Sequence, residues 1–585
     1  MNATDGLRPG NAAAAAPGPS PSPDDRPWLA FYEAGVPADV EIPPVTLDQL
    51  LRDSAGRVPD RPALVFYNKV TTYRQLDEAV DRFANALRAM GVGKGDRVTL
   101  HLPTTPAFVI AYYGTLRAGA LVVPVNPMLV PRELAVLLAY TSPKVTVSYD
   151  LLVPRLDAIG NDDTPGHPGR MIVTGVQDSL PAPIRYLYPI KARREGHWHP
   201  HRHTRERPNL FRLLAESPAT PVTSGASPGD PAVLQPTGGT TGIPKAATLT
   251  HRNLVANAAQ VAAWFPEATQ RERTVILCPL PLSHIYGQTV DLNYAVMIGA
   301  TLLLIPRFDP EEVLRTAARH RPQLFPAAPL MYETLASHPN IGRYDLSSIE
   351  ACISGSSPLL PDVQLAFEKV TGGRVSEGYG LTEASPVTHC NPLVGDRRIG
   401  TIGIPFPSTR ARIVDLETGQ PALLGEPGEL EVSGPQVMSG YWQSPEETTR
   451  VLHDGWLRTG DIATRDADGY FRIVDRLKDL IIVGGVNVYP REVEEFLLTH
   501  PAVTDAAVIG VPDHHYGEKP YAFVVLAPGA AVSSEELIEH CRGNMARFKV
   551  PCCVEFRESL PKTMIGKVLR KDLRAELESR EPAPG

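Results

Sequence analysis

At 585 residues, with 57 Lys+Arg against 65 Asp+Glu and a net charge of −8, the chain is too long for one core and too acidic for non-specific nucleic-acid binding. Its apolar fraction of 43% is ordinary for a globular protein, and its longest apolar stretch, residues 294–306, is shorter than the roughly 18 residues of a spanning helix. Six cysteines, at positions 278, 352, 390, 541, 552 and 553, show no metal-ligand spacing and no disulfide framework, so they read as reduced thiols of a cytoplasmic protein.

Residues 1–27 carry an alanine run and Pro/Ser repeats, without the basic start and apolar block of a secretory signal. They read as a disordered tail. Helical signals (47–54, 73–90, 107–117, 132–140) then alternate with extended ones (63–67, 97–102, 120–125, 144–148), a pattern that predicts an α/β body with parallel strands. Further strands are expected at 171–174 and 302–305, and further helices at 253–265 and 311–320. This N-terminal body, large enough for several subdomains, is expected to span 28–475.

Within it, residues 181–208 shift to Arg185, Lys191, Arg193, Arg194, Arg202, Arg205 and Arg207, with Tyr186, Tyr188, Trp198 and four histidines at 197, 199, 201 and 203. A basic aromatic strip suits an anionic surface such as the inner face of a membrane. Basic runs are often simply solvated, and an exposed insertion is the favoured reading. The histidines, without flanking cysteines or a second cluster, make a weak metal site. Asp475-Arg476-Leu477-Lys478-Asp479 is too polar for a core strand and reads as a hinge at 476–479. Short strands and helices over 490–499 and 534–545 then predict a small mobile α+β domain at 480–585.

Residues 237–245 read Thr-Gly-Gly-Thr-Thr-Gly-Ile-Pro-Lys and lie between extended segments at 232–234 and 246–250. Gly238, Gly239 and Gly242 let backbone amides converge on phosphate oxygens, Thr237, Thr240 and Thr241 add hydroxyls, and Lys245 adds a mobile point charge. ATP is the expected ligand; a surface turn is the plain alternative. A Walker loop is excluded, because Ile243 and Pro244 separate Gly242 from Lys245 and a strand follows where that loop opens a helix.

Four more motifs follow: Glu377-Gly-Tyr-Gly-Leu-Thr-Glu383, Thr459-Gly-Asp461 with Asp475-Arg476, Gly484-Gly485, and Pro561-Lys-Thr-Met-Ile-Gly-Lys567. In this order they resemble the superfamily of acyl-CoA synthetases, non-ribosomal-peptide adenylation domains and beetle luciferases, over nearly the whole chain after residue 45. The flavour, Asn-Val-Tyr-Pro included, is most similar to bacterial long-chain fatty acid:CoA ligases. Asp466-Ala-Asp-Gly469 imitates the start of a calcium loop but lacks its later oxygen positions.

The resemblance implies an acid–thiol ligase that joins a fatty acid to AMP and then to a thiol. Lys245 and the threonines would hold the pyrophosphate, Glu383 would position Mg2+, and Thr382 would touch the α-phosphate. Tyr379 would stack on adenine beside Gly380, with Gly355-Ser356-Ser357 lining the same pocket. Asp461, assisted by Arg476, would accept from the ribose. Lys567 would bridge carboxylate and α-phosphate; the terminal domain would then pivot about Lys478 so that Gly484 and Gly485 open a thiol tunnel.

His284, in Leu280-Pro-Leu-Ser-His-Ile-Tyr-Gly287, is expected near the substrate carboxylate, with a core histidine as the alternative. Amino-acid-activating relatives place an aspartate in this region; Ser283, His284 and Ile285 stand there instead, which disfavours an amino-acid substrate. Two departures from the family pattern are Ala246, where many relatives have glycine, and Ser283, where an aromatic is frequent. The thiol acceptor is read as coenzyme A, with an acyl carrier protein as the near alternative. A non-catalytic scaffold docked to membrane is the distant one, and the joint presence of Lys245, Glu383, Asp461, Arg476 and Lys567 argues against it.

Overall fold

The computed structural model describes residues 26–160, 164–194, 204, 206–237, 245–563 and 566–580. Arg26 pairs with Asp39 at 3.2 Å, and Pro27–Phe31 forms a 3-10 helix that buries Trp28. Arg26 and Pro27 thus fall outside the expected tail. The anchor is the turn at Gly469, whose φ of +88° suits glycine and where a Cβ would lie 3.0 Å from the Trp28 ring.

Five strands, Pro231–Thr237, Leu121–Pro124, Arg97–His101, Val145–Tyr149 and Arg170–Thr174, lie side by side and parallel. Val98, Val122, Val145, Val147 and Ile172 are fully buried, as expected of strands covered on both faces. Lys245–Thr250 and Gly440–Tyr441 extend this sheet by antiparallel pairing. The helix Pro106–Arg117 is buried along its whole length, so it is apolar on every side. Its terminal Arg117 meets Asp77 at 2.7 Å and Asp81 at 3.3 Å.

A second layer joins Lys69–Thr72, Pro62–Phe66, Thr301–Leu304 and Val275–Cys278 to Ala351–Ser354, Arg374–Gly380, Val387–Cys390 and Ile404–Pro405, with Leu324 bridging Ile276 and Ala351. Within the body, pairing beyond residue 387 is antiparallel. Arg410–Val414, Gly428–Ser433, Trp456–Arg465, Leu452–His453 and Phe471–Arg476 form a sheet of their own, because the connections there are too short for crossover helices. The parallel pattern read from residues 47–148 therefore covers only part of the body.

Phe471–Arg476 also corrects the reading of Asp475 and Arg476 as too polar for a strand. Asp475 is buried, and its carboxylate accepts from the amides of Arg476 (2.7 Å) and Arg491 (2.8 Å), which offsets desolvation.

One hydrophobic cluster runs from Trp28 to Phe471, and separate clusters lie within residues 481–554 and 507–573. The small terminal layer pairs Val486–Val488, Ile481–Val483, Gly517–Leu526 and Val503–Asp513, with Cys553–Arg557 alongside. Helices Pro490–Leu497 and Ser534–Arg542 match the sequence expectation; Arg570–Glu578 was not anticipated. Part of the basic segment forms the helix Ala182–Arg194. Its four histidines lie outside the described residues.

Candidate active site

The expected phosphate loop joins two paired strands. Thr237 stands opposite Lys245, and its hydroxyl donates to the Lys245 carbonyl at 3.4 Å. Gly238, Gly239, Thr240, Thr241 and Gly242 lie outside the described residues. Thr250 caps the helix His251–Trp264, and Asn253 in its first turn donates to the carbonyls of Pro435 and Val437, both at 2.8 Å. This fastens the segment leading to Tyr441 beside Lys245. The Lys245 ammonium lies 5.5 Å from the Tyr441 ring centroid and donates to Glu447, while the Tyr441 hydroxyl donates to Glu383 Oε1 at 2.7 Å. Phosphate-loop cation and candidate metal ligand thus share a neighbour. Neither Tyr441 nor Glu447 was singled out from sequence, since Glu447 lies 202 residues from its lysine.

Arg374–Gly380 delivers the nucleotide-facing candidates. A Cβ on Gly380 would lie 2.1 Å from the Pro386 carbonyl oxygen, so only glycine fits there. Thr382 and Glu383 open a short 3-10 helix after Leu381. Gly355 passes close to Tyr286, with a virtual Cβ 3.3 Å from the ring. Ser356 adopts φ 79°, the left-handed region, and turns the chain toward Ser357. The Tyr379 hydroxyl donates to Asp461 Oδ2 at 2.5 Å, and Arg476, directly across the ladder from Asp461, reaches Oδ1 at 3.3 Å. Burial, then the Asp461 charge, raises the Tyr379 phenol well above its ordinary value, so it stays a donor. Glu377, which opens this motif, is buried and pushed up to about 7 by desolvation, and accepts from the Leu359 amide at 3.3 Å.

His284 precedes the buried π-helix Gly287–Asn293. Its Nδ1 accepts from the Tyr286 amide at 3.2 Å, which places the ring proton on Nε2. Gln235 donates to the Ser283 carbonyl at 3.1 Å and accepts from Gln288 at 2.8 Å, tying this wall to the strand that leads into the phosphate loop.

Lys567 comes from the other domain. The segment folds tightly on itself: the Thr563 amide donates to the Lys567 carbonyl at 2.8 Å. Gly566 rests against the N-terminal body, with a virtual Cβ 3.2 Å from Leu330 Cβ. Burial, then the charges of Arg476 and Lys478, hold the Lys567 ammonium down to about 7, with Asp461 and Asp479 opposing. Burial, with the Lys567 charge adding to it, lowers His284 to about 4. The charges of Asp461 and Arg476 thus act on Lys567, and that of Lys567 on His284, across the boundary between the domains.

Lys478 lies in the 3-10 turn Leu477–Asp479. Asp479 beside it is clasped by Arg574 at 3.2 Å and Arg570 at 3.4 Å. Gly484 and Gly485, at φ +59° and +83°, make the exposed tip of a hairpin whose two positive φ values favour glycine. Among the described residues, no cluster of three or more metal-ligating side chains is present, and the six cysteines are free thiols.

The AMP-binding enzyme profile matches residues 51–442, and that of the AMP-binding enzyme C-terminal domain matches residues 492–567. This chain belongs to the AMP-binding enzyme family. Among its relatives, a long-chain-fatty-acid–CoA ligase of Bacillus subtilis is 44% identical over 561 residues, covering 94% of this chain and 98% of that one. Among solved structures, ATP-bound MatB from Rhodopseudomonas palustris superposes with a TM-score of 0.79 at 29% identity, covering 92% of this chain and 99% of that one. Apo MatB from the same organism gives 0.69 at 30% identity with the same coverage.

Proposed function

We propose that the chain is an AMP-forming fatty acid:CoA ligase. A carboxylate oxygen attacks the α-phosphorus of ATP, the bond to the β-phosphate oxygen breaks, and pyrophosphate leaves. The CoA thiolate then attacks the acyl carbonyl carbon, and AMP departs with the former carboxylate oxygen. The observation that carries this reading is the seating of the Lys567 loop of the terminal domain against the body at Leu330, where its ammonium feels the charges of Asp461 and Arg476.

Both reactants of the first step are anions, so the site must supply positive charge where they meet. Lys567 faces the α-phosphate and the carboxylate, Lys245 and the 237–245 loop hold the outgoing pyrophosphate, and Thr382 donates to the α-phosphate. Asp461 accepts from the ribose with Arg476 beside it, and the Tyr379 ring covers adenine next to Gly355, Ser356, Ser357 and Gly380. His284, neutral with its proton on Nε2, donates to the substrate carboxylate. Glu383 suits Mg2+: Tyr441 engages only one of its two hard oxygens, and the ion would supply charge neutralisation on the phosphates. For the second step Lys478 is the pivot, and the Gly484–Gly485 tip lines the approach of the pantetheine arm. The long-chain-fatty-acid–CoA ligase of Bacillus subtilis supports both the fatty acid and the CoA assignments.

Pyrophosphate release from ATP, scored over acids from acetate to oleate, tests the first step. It should depend on a fatty acid, and thioester should then form with CoA. Thioester on a carrier protein alone would redirect the acceptor, and release with no acid in the panel would end the proposal.

A contact with anionic lipid accompanies this reading. In the helix Ala182–Arg194, Ile184, Tyr186, Leu187 and Ile190 are exposed, Tyr186 by 77%, beside the exposed Arg185 and Arg194. No helix among the described residues is long and apolar enough to cross a membrane, so any contact there is interfacial. Co-sedimentation with phosphatidylglycerol vesicles, reduced in a Leu187→Glu/Ile190→Glu variant, is the expected result; equal sedimentation of both proteins would exclude this helix.

A further inference from the structure

Lys245 is engaged by the protein's own side chains. Its ammonium donates to Glu447 Oε2, while Glu447 Oε1 accepts from Arg450. The Tyr441 ring lies beneath the same ammonium and passes its hydroxyl to Glu383. Glu447 sits on the helix Pro445–Val451, which follows the edge strand Gly440–Tyr441 and carries the carboxylate to the Lys245 ammonium. The side chains of Lys245 and Glu447 are 23% and 30% exposed, so a solvated polyanion can reach both.

We propose that Glu447 is a positioning residue that stands in for phosphate: it holds Lys245 extended between turnovers, competes with ATP for it, and so sets how readily pyrophosphate leaves. This rests on the assignment of Lys245 to the phosphate site. A triphosphate must either draw the ammonium off Glu447 or share it with that carboxylate. In the first case an ion pair is lost; in the second a negative charge remains beside the bound phosphates. Both weaken the grip on ATP and on pyrophosphate alike. Arg450 moderates the effect by drawing on the same carboxylate.

The test compares Glu447→Gln, Arg450→Ala and Lys245→Ala in the full chain, reading KM for ATP and inhibition by added inorganic pyrophosphate. Neutralising Glu447 should lower both constants roughly two- to fivefold, the scale of a partly exposed ion pair, and raised ionic strength should shrink the difference. Arg450→Ala should move both constants the opposite way. If Glu447 were only structural, its loss would leave both constants unchanged or raise them, with a lower unfolding midpoint, and that result overturns the proposal. If Lys245→Ala leaves ATP and pyrophosphate binding unaltered, the phosphate-site assignment itself is wrong and this inference falls with it.

Discussion

Lys567 is an ammonium held among two other cations, and its charge is tolerated only because Asp461 and Asp479 oppose them. Its ordinary pKa of 10.5 falls to about 7 when the loop is seated, so the seated loop binds its proton more weakly than the free one. Seating without nucleotide is therefore disfavoured at or below pH 7 and becomes easier as pH rises from about 7 towards 10.5. ATP reverses this by placing phosphate charge against the ammonium. Between those two pH values, ATP binding should take up roughly one proton, measurable by calorimetry in buffers of different ionisation enthalpy. The uptake should vanish in Lys567→Met. Undiminished uptake in that variant would move the proton to another group.

At the scale of elements, the apolar helix Pro106–Arg117 ends in a buried guanidinium that joins Asp77 and Asp81 on the helix Tyr73–Ala89. Arg52, at 2.7 Å from Asp81, adds a third helix to the knot. Arg117→Met removes the buried guanidinium but leaves Arg52 paired with both Asp77 and Asp81, so it should cost about 1–3 kcal/mol, read as a lowered denaturant midpoint. The Lys567-linked proton uptake should survive wherever the fold survives. These helices and the parallel strands were legible in the sequence because their apolar periodicity is local. The antiparallel sheet after residue 387 was not, since Asp475 is stabilised in its strand by an amide from Arg491, a partner that periodicity does not reveal. The helix Arg570–Glu578 was missed for a similar reason: among its residues only Leu573 is buried, and Arg570 and Arg574 face Asp479 and Glu494 instead.

The site was legible in pieces rather than as a whole. Motif order indicated Lys245, Glu383, Asp461 and Lys567 as participants, but their mutual placement depends on which strands neighbour one another across hundreds of residues. Nothing in Glu447 or Tyr441 read singly separates them from ordinary surface side chains. For the whole molecule, the proposed two-step chemistry requires the terminal domain to seat Lys567 first and bring the Gly484–Gly485 tip inward afterwards. Proline restricts φ and removes a donor, so Lys478→Pro should bias the pivot towards one arrangement. ATP–pyrophosphate exchange should persist while thioester formation from preformed acyl-AMP falls by roughly tenfold or more. Equal loss of both steps would mean that Lys478 is not the pivot.

The edge strand Gly440–Tyr441 is laid beside Lys245–Thr250 only after most of the polypeptide has been made. A ribosome that stalls before that point releases a fragment with every glycine of the phosphate loop but without the ring and carboxylate that steady Lys245 and Glu383. Asp461, Arg476 and Lys567 are also still to be made at that point, so competence arrives late in synthesis.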